Sequence, residues 1–123
     1  STHCGNGYAP DGTPLTSNDP ADTSQPADPA FMSGWVQHLV ATFGAASAGG
    51  VRYYNLDNEP SLWTETHRDV RREHLGYAEL RDRTYAYAAM IKATDPGAQT
   101  LGPAEWGWNA YFYSARDSHS KGA

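Results

Sequence analysis

The chain has 123 residues, enough for one domain, so we expect no second domain within them. Nine Lys and Arg residues against fourteen Asp and Glu residues give a net charge of −5 at pH 7, so the chain lacks the basic surface that a nucleic-acid partner requires. The mean hydropathy is −0.68 and no apolar run approaches the roughly 20 residues that cross a bilayer, so we expect no membrane partner.

Residues 1–27 are predicted to form a long loop, because turn-forming residues cluster there without helical or alternating periodicity. Such a stretch is typical of a functional loop or of a disordered segment, and the sequence leaves both open. Cys4 is the only cysteine, so an internal disulfide is excluded. An ordinary solvated loop is favoured over a calcium site, and we expect no cofactor. The oxygen ligands that calcium would use in or beside this loop are Asp11, Asp19, Asp22 and Asp28.

A first helix is predicted to begin at Asp28-Pro29, since Asp caps free N–H groups and Pro tolerates the first helical position. Trp35 belongs to an apolar stripe along this helix and is expected in the core. The helix is expected to end by Gly49-Gly50, where glycine permits a left-handed turn. The stripe consists of Met32, Trp35, Val36, Leu39, Val40 and Phe43.

A short strand is predicted over residues 51–56, a β-branched and aromatic run between glycines and a proline. A polar loop over 61–76 separates this strand from a second helix, which begins near Ala78 and stops at the Asp-Pro-Gly turn of residues 95–97. Residues 99–103 are the next strand-like segment.

This order of elements predicts the α/β class, with an α-β-α-β portion over residues 28–115 and a truncated loop over 116–123. Strands that are joined through a helix are normally parallel. Two parallel strands cannot close a sheet, and a parallel sheet needs both its faces and its edges protected. We therefore expect the whole chain, residues 1–123, to be part of a larger α/β structure.

Glu59 is the candidate catalytic residue, in the Asp-Asn-Glu-Pro turn of residues 57–60 that follows the first predicted strand. Ligands in α/β proteins bind at the C-terminal ends of parallel strands. A glycosidase needs a carboxylic acid there to protonate the leaving oxygen, opposite a second carboxylate, and Asn58 could bond a sugar hydroxyl. The alternative is that Asn58 and Pro60 only shape a turn while Glu59 is solvated.

Three segments around this turn carry a resemblance to a known family. They are residues 49–63, which contain Asn-Glu-Pro and end in Trp63, the Thr-His-Arg run of 66–68, and the tryptophan-bearing run of 102–108. These segments resemble glycoside hydrolase family 44, and the similarity extends from about residue 19 to residue 113.

The resemblance implies a fragment of a (β/α)8 TIM barrel, comprising about helix 3, strand 4, helix 4 and strand 5 with their loops. It also implies a retaining endo-β-1,4-glucanase, secreted to the extracellular space, which hydrolyses cellulose-type or xyloglucan-type β-glucans with Glu59 as the general acid/base. The nucleophile of the family is a glutamate on the seventh barrel strand, and no residue of this chain corresponds to it. We therefore expect the isolated chain to be inactive and to require the remainder of the barrel.

Aromatic residues are the candidates for contact with the sugar chain. Trp and Tyr, with four and eight residues, far outnumber the three Phe residues, and both types pair an apolar face with a polar edge. Trp63, Trp106 and Trp108 follow the predicted strands, and the alternative for each is packing under a loop. His67 is a further candidate for contact with substrate, and the resemblance places Glu105 in the binding cleft.

Other chemistries are excluded by the motifs that the sequence lacks. There is no Cys-x-x-Cys or His-Glu-x-x-His spacing for zinc, no phosphate-binding loop and no Gly-x-Ser-x-Gly. The alternative to an enzyme is a non-catalytic carbohydrate-binding or interaction module that uses the same tryptophans.

Overall fold

Helices and short strands alternate along the chain. The structure, a computed structural model, describes residues 8–14, 19–22, 24–68 and 70–121, and Cys4 lies outside these ranges. The helices and strands of the described residues are α1 (Pro29–Phe43), β1 (Tyr53–Asn55), α2 (Trp63–Thr66), α3 (Tyr77–Thr94), β2 (Gln99–Leu101) and α4 (Ala115–Lys121). Turns of 3₁₀ helix lie at Pro20–Asp22, Ala46–Ala48, Pro60–Leu62 and Trp108–Tyr111.

The start of α1 lies where the capping signal predicts it. The Asp28 side chain accepts a hydrogen bond from the Phe31 N–H at 2.8 Å, which satisfies one of the free amides of the first turn. The helix ends at Phe43, before the Gly49-Gly50 pair that the sequence predicts as its latest end, because Gly44 already adopts a φ of 88° and leaves the helical conformation.

β1 and β2 pair in parallel, which confirms the predicted orientation. Tyr53 lies opposite Gln99, and Asn55 lies opposite Leu101. Each strand has three residues and is shorter than predicted. Tyr53 is exposed whereas Tyr54 packs against the core, as the two-residue period of a strand requires.

The core is small and includes residues of α1, α3 and the segments that flank them. Asp95 is buried within it, and its carboxylate accepts a hydrogen bond from the Ala46 N–H at 2.8 Å. This bond gives the buried carboxylate a hydrogen-bond partner. It also connects the end of α3 to the 3₁₀ turn after α1. The buried apolar residues are Val36, Ala46, Ile91 and Ala98, with Tyr54, Leu56 and Met90 packed against them.

The expectation that Trp35 lies in the core is wrong for this chain. Trp35 is 54% exposed and stacks on His38, with the ring centroids 5.6 Å apart. Val36 is the buried residue of α1. The apolar stripe of α1 is therefore wider than the surface that α3 and the two strands offer to it.

The predicted loop over 116–123 is also wrong, because α4 occupies most of it. The Ser114 hydroxyl accepts a hydrogen bond from the Asp117 N–H, and the Asp117 carboxylate accepts one from the Ser114 N–H, both at 3.1 Å. This reciprocal pair is a capping box, which starts a helix. The predicted 61–76 loop likewise contains α2.

The long N-terminal segment has little regular structure in the part that is described. It contains an isolated antiparallel bridge between Tyr8 and Pro14 and the 3₁₀ turn named above. None of the helices formed by the described residues has both the length and the apolar composition needed to cross a membrane.

Candidate active site at the ends of the parallel strands

Backbone pairing continues past the last residues of β1 and β2, so that Glu59 and Glu105 lie at the same end of the two-stranded sheet. The Ala104 N–H donates to the Asp57 carbonyl at 3.2 Å, and the Glu59 N–H donates to the Ala104 carbonyl. Asn58 forms a parallel bridge with Ala104 in the same register as the strands. Glu59 and Glu105 therefore occupy neighbouring register positions, where adjacent strands are about 4.8 Å apart.

The turn that holds Glu59 has an unusual backbone. Asp57 and Glu59 adopt φ values of 88° and 50°, in the left-handed region that residues other than glycine rarely enter. The Asp57 carboxylate accepts a hydrogen bond from the Asn58 N–H at 2.7 Å, and the Asn55 amide donates to the Asp57 carbonyl at 3.0 Å. Pro60, directly after Glu59, is fully buried. These contacts hold the backbone of the 57–60 turn, and backbone strain of this kind clusters at functional sites.

Gly102 allows the two strand ends to approach so closely. A Cβ at this position would lie 2.5 Å from the Asn55 side-chain oxygen, and the Gly102 φ of 80° disfavours any side chain. Because Asn55 in turn bonds the Asp57 carbonyl, the glycine supports the 57–60 turn from the neighbouring strand.

The two glutamates have different surroundings. Glu59 is half-buried and takes part in none of the ion pairs between described side chains, which join Arg71 and Arg83 to Glu79 and Arg81 to Asp82. Glu105 is also half-buried, and its Oε2 atom is shielded from solvent without a hydrogen-bond partner in the described part of the chain. The Glu105 carboxylate thus retains an acceptor that a donor from elsewhere could satisfy.

Trp106 and Trp108 lie together on an open cavity of about 430 Å³, which we call the tryptophan cavity. Their exposed fractions are 70% and 78%, so both indoles are accessible. The remaining lining comes from the loop between β1 and α3, the 3₁₀ turn after Trp106, and α4, and it includes Glu65, His74 and His119. Flat aromatic faces beside carboxylate and imidazole groups suit a polar ring with apolar faces, such as a sugar.

Trp63 lies in a different place from the other two tryptophans. It lines a second cavity, of about 490 Å³, together with Asp57 and residues of α1 and α3. The Arg71 guanidinium carbon lies 5.8 Å from the centroid of its ring. The structure therefore does not bring Trp63 together with Trp106 and Trp108.

The other predicted contact residues lie around the turn without converging on a cavity. Asn58 and His67 are exposed, and the His67 N–H donates to the Trp63 carbonyl at 2.8 Å. Neither these two residues nor Glu59 line the tryptophan cavity or the cavity beside Trp63. Glu105 instead lines a small niche with Tyr77.

An ion-pair cluster beside Trp63 was not predicted from the sequence. Hydrogen bonds from Arg71, and in addition one from Arg83, lower the pKa of Glu79 to about 2 against the opposing effect of burial. The spacing of Glu79 and Arg83 at i and i+4 on α3 is a detectable signal. The pairing with Arg71 has no such signal, because Arg71 lies in the loop before the helix.

No group of three or more His, Cys, Asp or Glu side chains suitable for a metal occurs in the residues that the structure describes. Asp11, Asp19 and Asp28 each accept a hydrogen bond from a backbone N–H two or three residues onward, at 2.8 to 2.9 Å. The bonds from Thr13 lower the pKa of Asp11. The side chain of Asp22 lies outside the described part.

Sequence comparisons agree with the resemblance. A sequence model of glycoside hydrolase family 44 matches residues 1–123. The chain is 42% identical over 83 residues to Endoglucanase A of Paenibacillus lautus, which covers 67% of this chain and 12% of that protein. It is 35% identical over 89 residues to a Beta-mannanase/endoglucanase A of Caldicellulosiruptor saccharolyticus, which covers 72% of this chain and 7% of that protein.

Solved structures give the same result. CelM2, a bifunctional glucanase-xylanase protein from a metagenome library, superimposes with a TM-score of 0.87 at 47% identity, over 96% of this chain and 23% of its own. A family 44 xyloglucanase of Paenibacillus polymyxa gives a TM-score of 0.62 at 42% identity, over 65% of this chain and 16% of its own. The chain therefore spans less than a quarter of the length of each of these relatives.

Proposed function

The chain belongs to glycoside hydrolase family 44, and on that premise we propose that it is the acid/base portion of a retaining endo-β-1,4-glucanase. Its substrates are cellulose-type or xyloglucan-type β-glucans, and the parent enzyme acts outside the cell. The four principal elements α1, β1, α3 and β2 correspond to helix 3, strand 4, helix 4 and strand 5 of a (β/α)8 barrel. The remainder of the barrel is required for activity.

The observation that carries this proposal is the position of Glu59. It follows a parallel strand in a strained turn that is hydrogen-bonded to the neighbouring strand end, and no ion pair with a described side chain holds its carboxylate. Glu59 protonates the glycosidic oxygen as the bond to the leaving sugar breaks, and in the second step it accepts a proton from water. No cofactor is needed for these proton transfers.

The nucleophile comes from a part of the barrel outside this chain. A retaining mechanism places its carboxyl about 5 to 5.5 Å from that of Glu59, on the other side of the scissile bond. Glu105 lies beside Glu59 rather than opposite it, so it binds substrate instead of attacking it. Asn58 and His67 supply further hydrogen bonds to sugar hydroxyls.

Trp63, Trp106 and Trp108 contribute the aromatic contacts to the glucan chain. Support is strongest for Trp106 and Trp108, whose exposed indoles line the tryptophan cavity. The same observation favours a second candidate, a non-catalytic carbohydrate-binding module. Binding of cello-oligosaccharide by these residues without any role for Glu59 would distinguish it from the enzyme.

A chimera tests the proposal. Residues 1–123 replace the aligned segment of CelM2, which the similarity over nearly the whole chain makes feasible. We expect the CelM2 chimera to hydrolyse carboxymethylcellulose or xyloglucan, and Glu59→Gln to lower kcat by at least about a hundredfold because the proton donor is lost. The basic limb of the pH–rate profile should be absent in the Glu59→Gln variant.

Asp82→Asn is the matched control, since Asp82 lies exposed on α3 and loses the same charge. It should leave kcat unchanged. An inactive chimera that is folded, or a Glu59→Gln variant that retains its activity and its basic limb, would contradict the proposed role.

A further inference from the structure

Arg71 joins the loop after the candidate site to the first turn of α3. Its two terminal nitrogens donate to the two carboxylate oxygens of Glu79 at 2.6 and 2.8 Å, and its Nε donates to the Glu73 carbonyl at 2.6 Å. Only 16% of the Arg71 side chain is exposed. A bidentate, largely buried pair of this kind holds a fixed geometry, unlike a solvated surface pair.

The same guanidinium group lies over Trp63, with 5.8 Å between its central carbon and the ring centroid. This distance is within the range of a cation–π contact. Trp63 begins α2, directly after the 3₁₀ turn Pro60–Leu62. A continuous set of contacts therefore runs from α3 through Arg71 to the aromatic ring.

The helical turn between Trp63 and Glu59 completes this connection. The Leu62 N–H donates to the Glu59 carbonyl at 2.8 Å, and Pro60 within the turn is fully buried. A displacement of Trp63 is thus transmitted to the backbone of Glu59, since the intervening residues form one hydrogen-bonded turn. Trp63 also lines its cavity beside Asp57, the other strained residue of the site.

We infer that Arg71 is a positioning residue for Glu59, which acts by clamping Trp63 between the loop and α3. This inference rests on the proposed function. Arginine suits the role because its planar fork binds both Glu79 oxygens while its charge lies over the indole, which the point charge of lysine cannot do at once. Displacing a catalytic group by about 1 Å can cost on the order of a hundredfold in rate.

The test uses the CelM2 chimera with Arg71→Gln and Arg71→Lys. We expect Arg71→Gln to lower kcat at least about tenfold, because the direction of Glu59 governs proton transfer, and to raise KM only through the contact of Trp63 with the glucan chain. Arg71→Lys should give an intermediate kcat. The basic limb of the pH–rate profile should shift in both variants, since the surroundings of Glu59 change.

Arg81→Gln is the matched control, because it removes the same positive charge as Arg71→Gln. Arg81 pairs with Asp82 on the exposed surface of α3, with 58% of its side chain exposed. It should leave kcat, KM and the pH profile unchanged. Glu79→Gln removes the partner of Arg71 and should reproduce the kcat loss of Arg71→Gln.

All rates are expressed per folded molecule, with the folded fraction taken from near-UV circular dichroism. The inference is overturned if the Arg71 and Glu79 variants keep an unchanged kcat per folded molecule. The same holds for a variant that is partly unfolded, and Arg71 is then a purely structural residue. If kcat is unchanged in the Arg71 and Glu79 variants while Glu59→Gln is inactive, only the positioning role of Arg71 is rejected. An active Glu59→Gln variant rejects the proposed function itself.

Discussion

Single residues at this site are held by unusual local chemistry. Glu59 and Asp57 occupy left-handed backbone positions that cost about 1 to 3 kcal/mol each, and surrounding hydrogen bonds maintain them. Glu79 is held ionised by Arg71 and Arg83. These constrained residues lie in the loop after β1 and in the first turn of α3.

The low pKa of Glu79 predicts a pH-dependent contribution to stability. Its folded pKa of about 2 lies below its ordinary value of 4.5, so the folded state favours the carboxylate. The contribution is fully present above pH 4.5 and is lost as the pH falls towards 2. In the CelM2 chimera, Glu79→Gln should therefore lower the unfolding temperature at pH 6 by more than at pH 3. A difference between the two proteins that grows on acidification would contradict this.

At the scale of elements, helix boundaries follow local signals while their lengths depend on packing. Asp28 caps α1 and the Ser114–Asp117 box starts α4. Gly50 shows how closely the connection between α1 and β1 is packed, because a Cβ there would lie 1.9 Å from the Gly44 carbonyl oxygen. That oxygen belongs to the backbone and cannot swing away as a side chain would.

Two glycines should respond in opposite directions to replacement by alanine. Gly34 lies inside α1 with nothing within 4 Å of the position that an added methyl group would take, so Gly34→Ala should stabilise the 123-residue chain by about 0.5 to 1 kcal/mol. Gly50→Ala should destabilise it by about 1 to 3 kcal/mol, because the added methyl group collides with backbone. Urea unfolding measures both effects, and shifts of the same sign would show that one of the two packing assignments is wrong.

At the scale of the whole molecule, much apolar surface remains uncovered. Phe31, Trp35 and Phe43 of α1 are each more than half exposed, and so is Tyr53 of β1. The two strands form a two-stranded parallel sheet, an arrangement normally covered on both faces and continued at its edges. These surfaces are the ones that neighbouring units of the proposed barrel would bury.

The isolated 123-residue chain should therefore be loosely packed and prone to self-association. We expect it to bind a hydrophobic dye such as ANS, to elute from gel filtration in concentration-dependent oligomers, and to release no reducing sugar from carboxymethylcellulose. The CelM2 chimera, in which the rest of the proposed barrel would cover α1 and the sheet edges, should bind little dye. A monomeric isolated chain without dye binding would show that this core is sufficient by itself.

The sequence by itself determined the features that depend on neighbouring residues. The Asp28 cap, the helix up to the Asp-Pro-Gly turn, the two strand segments and the position of Glu59 after a strand all follow from local patterns. The capping box at Ser114 is an equally local signal, and it starts α4 where the polar composition predicts a loop over 116–123.

Only the tertiary structure decided which distant residues meet. It separated Trp63 from Trp106 and Trp108, paired Arg71 with Glu79, and left Trp35 exposed. The physical reason is that these outcomes depend on the surface available on other elements, and helical periodicity gives the face of a residue without saying what covers that face. The register of β1 with β2, which brings Glu105 beside Glu59, likewise exists only once the two strands pair.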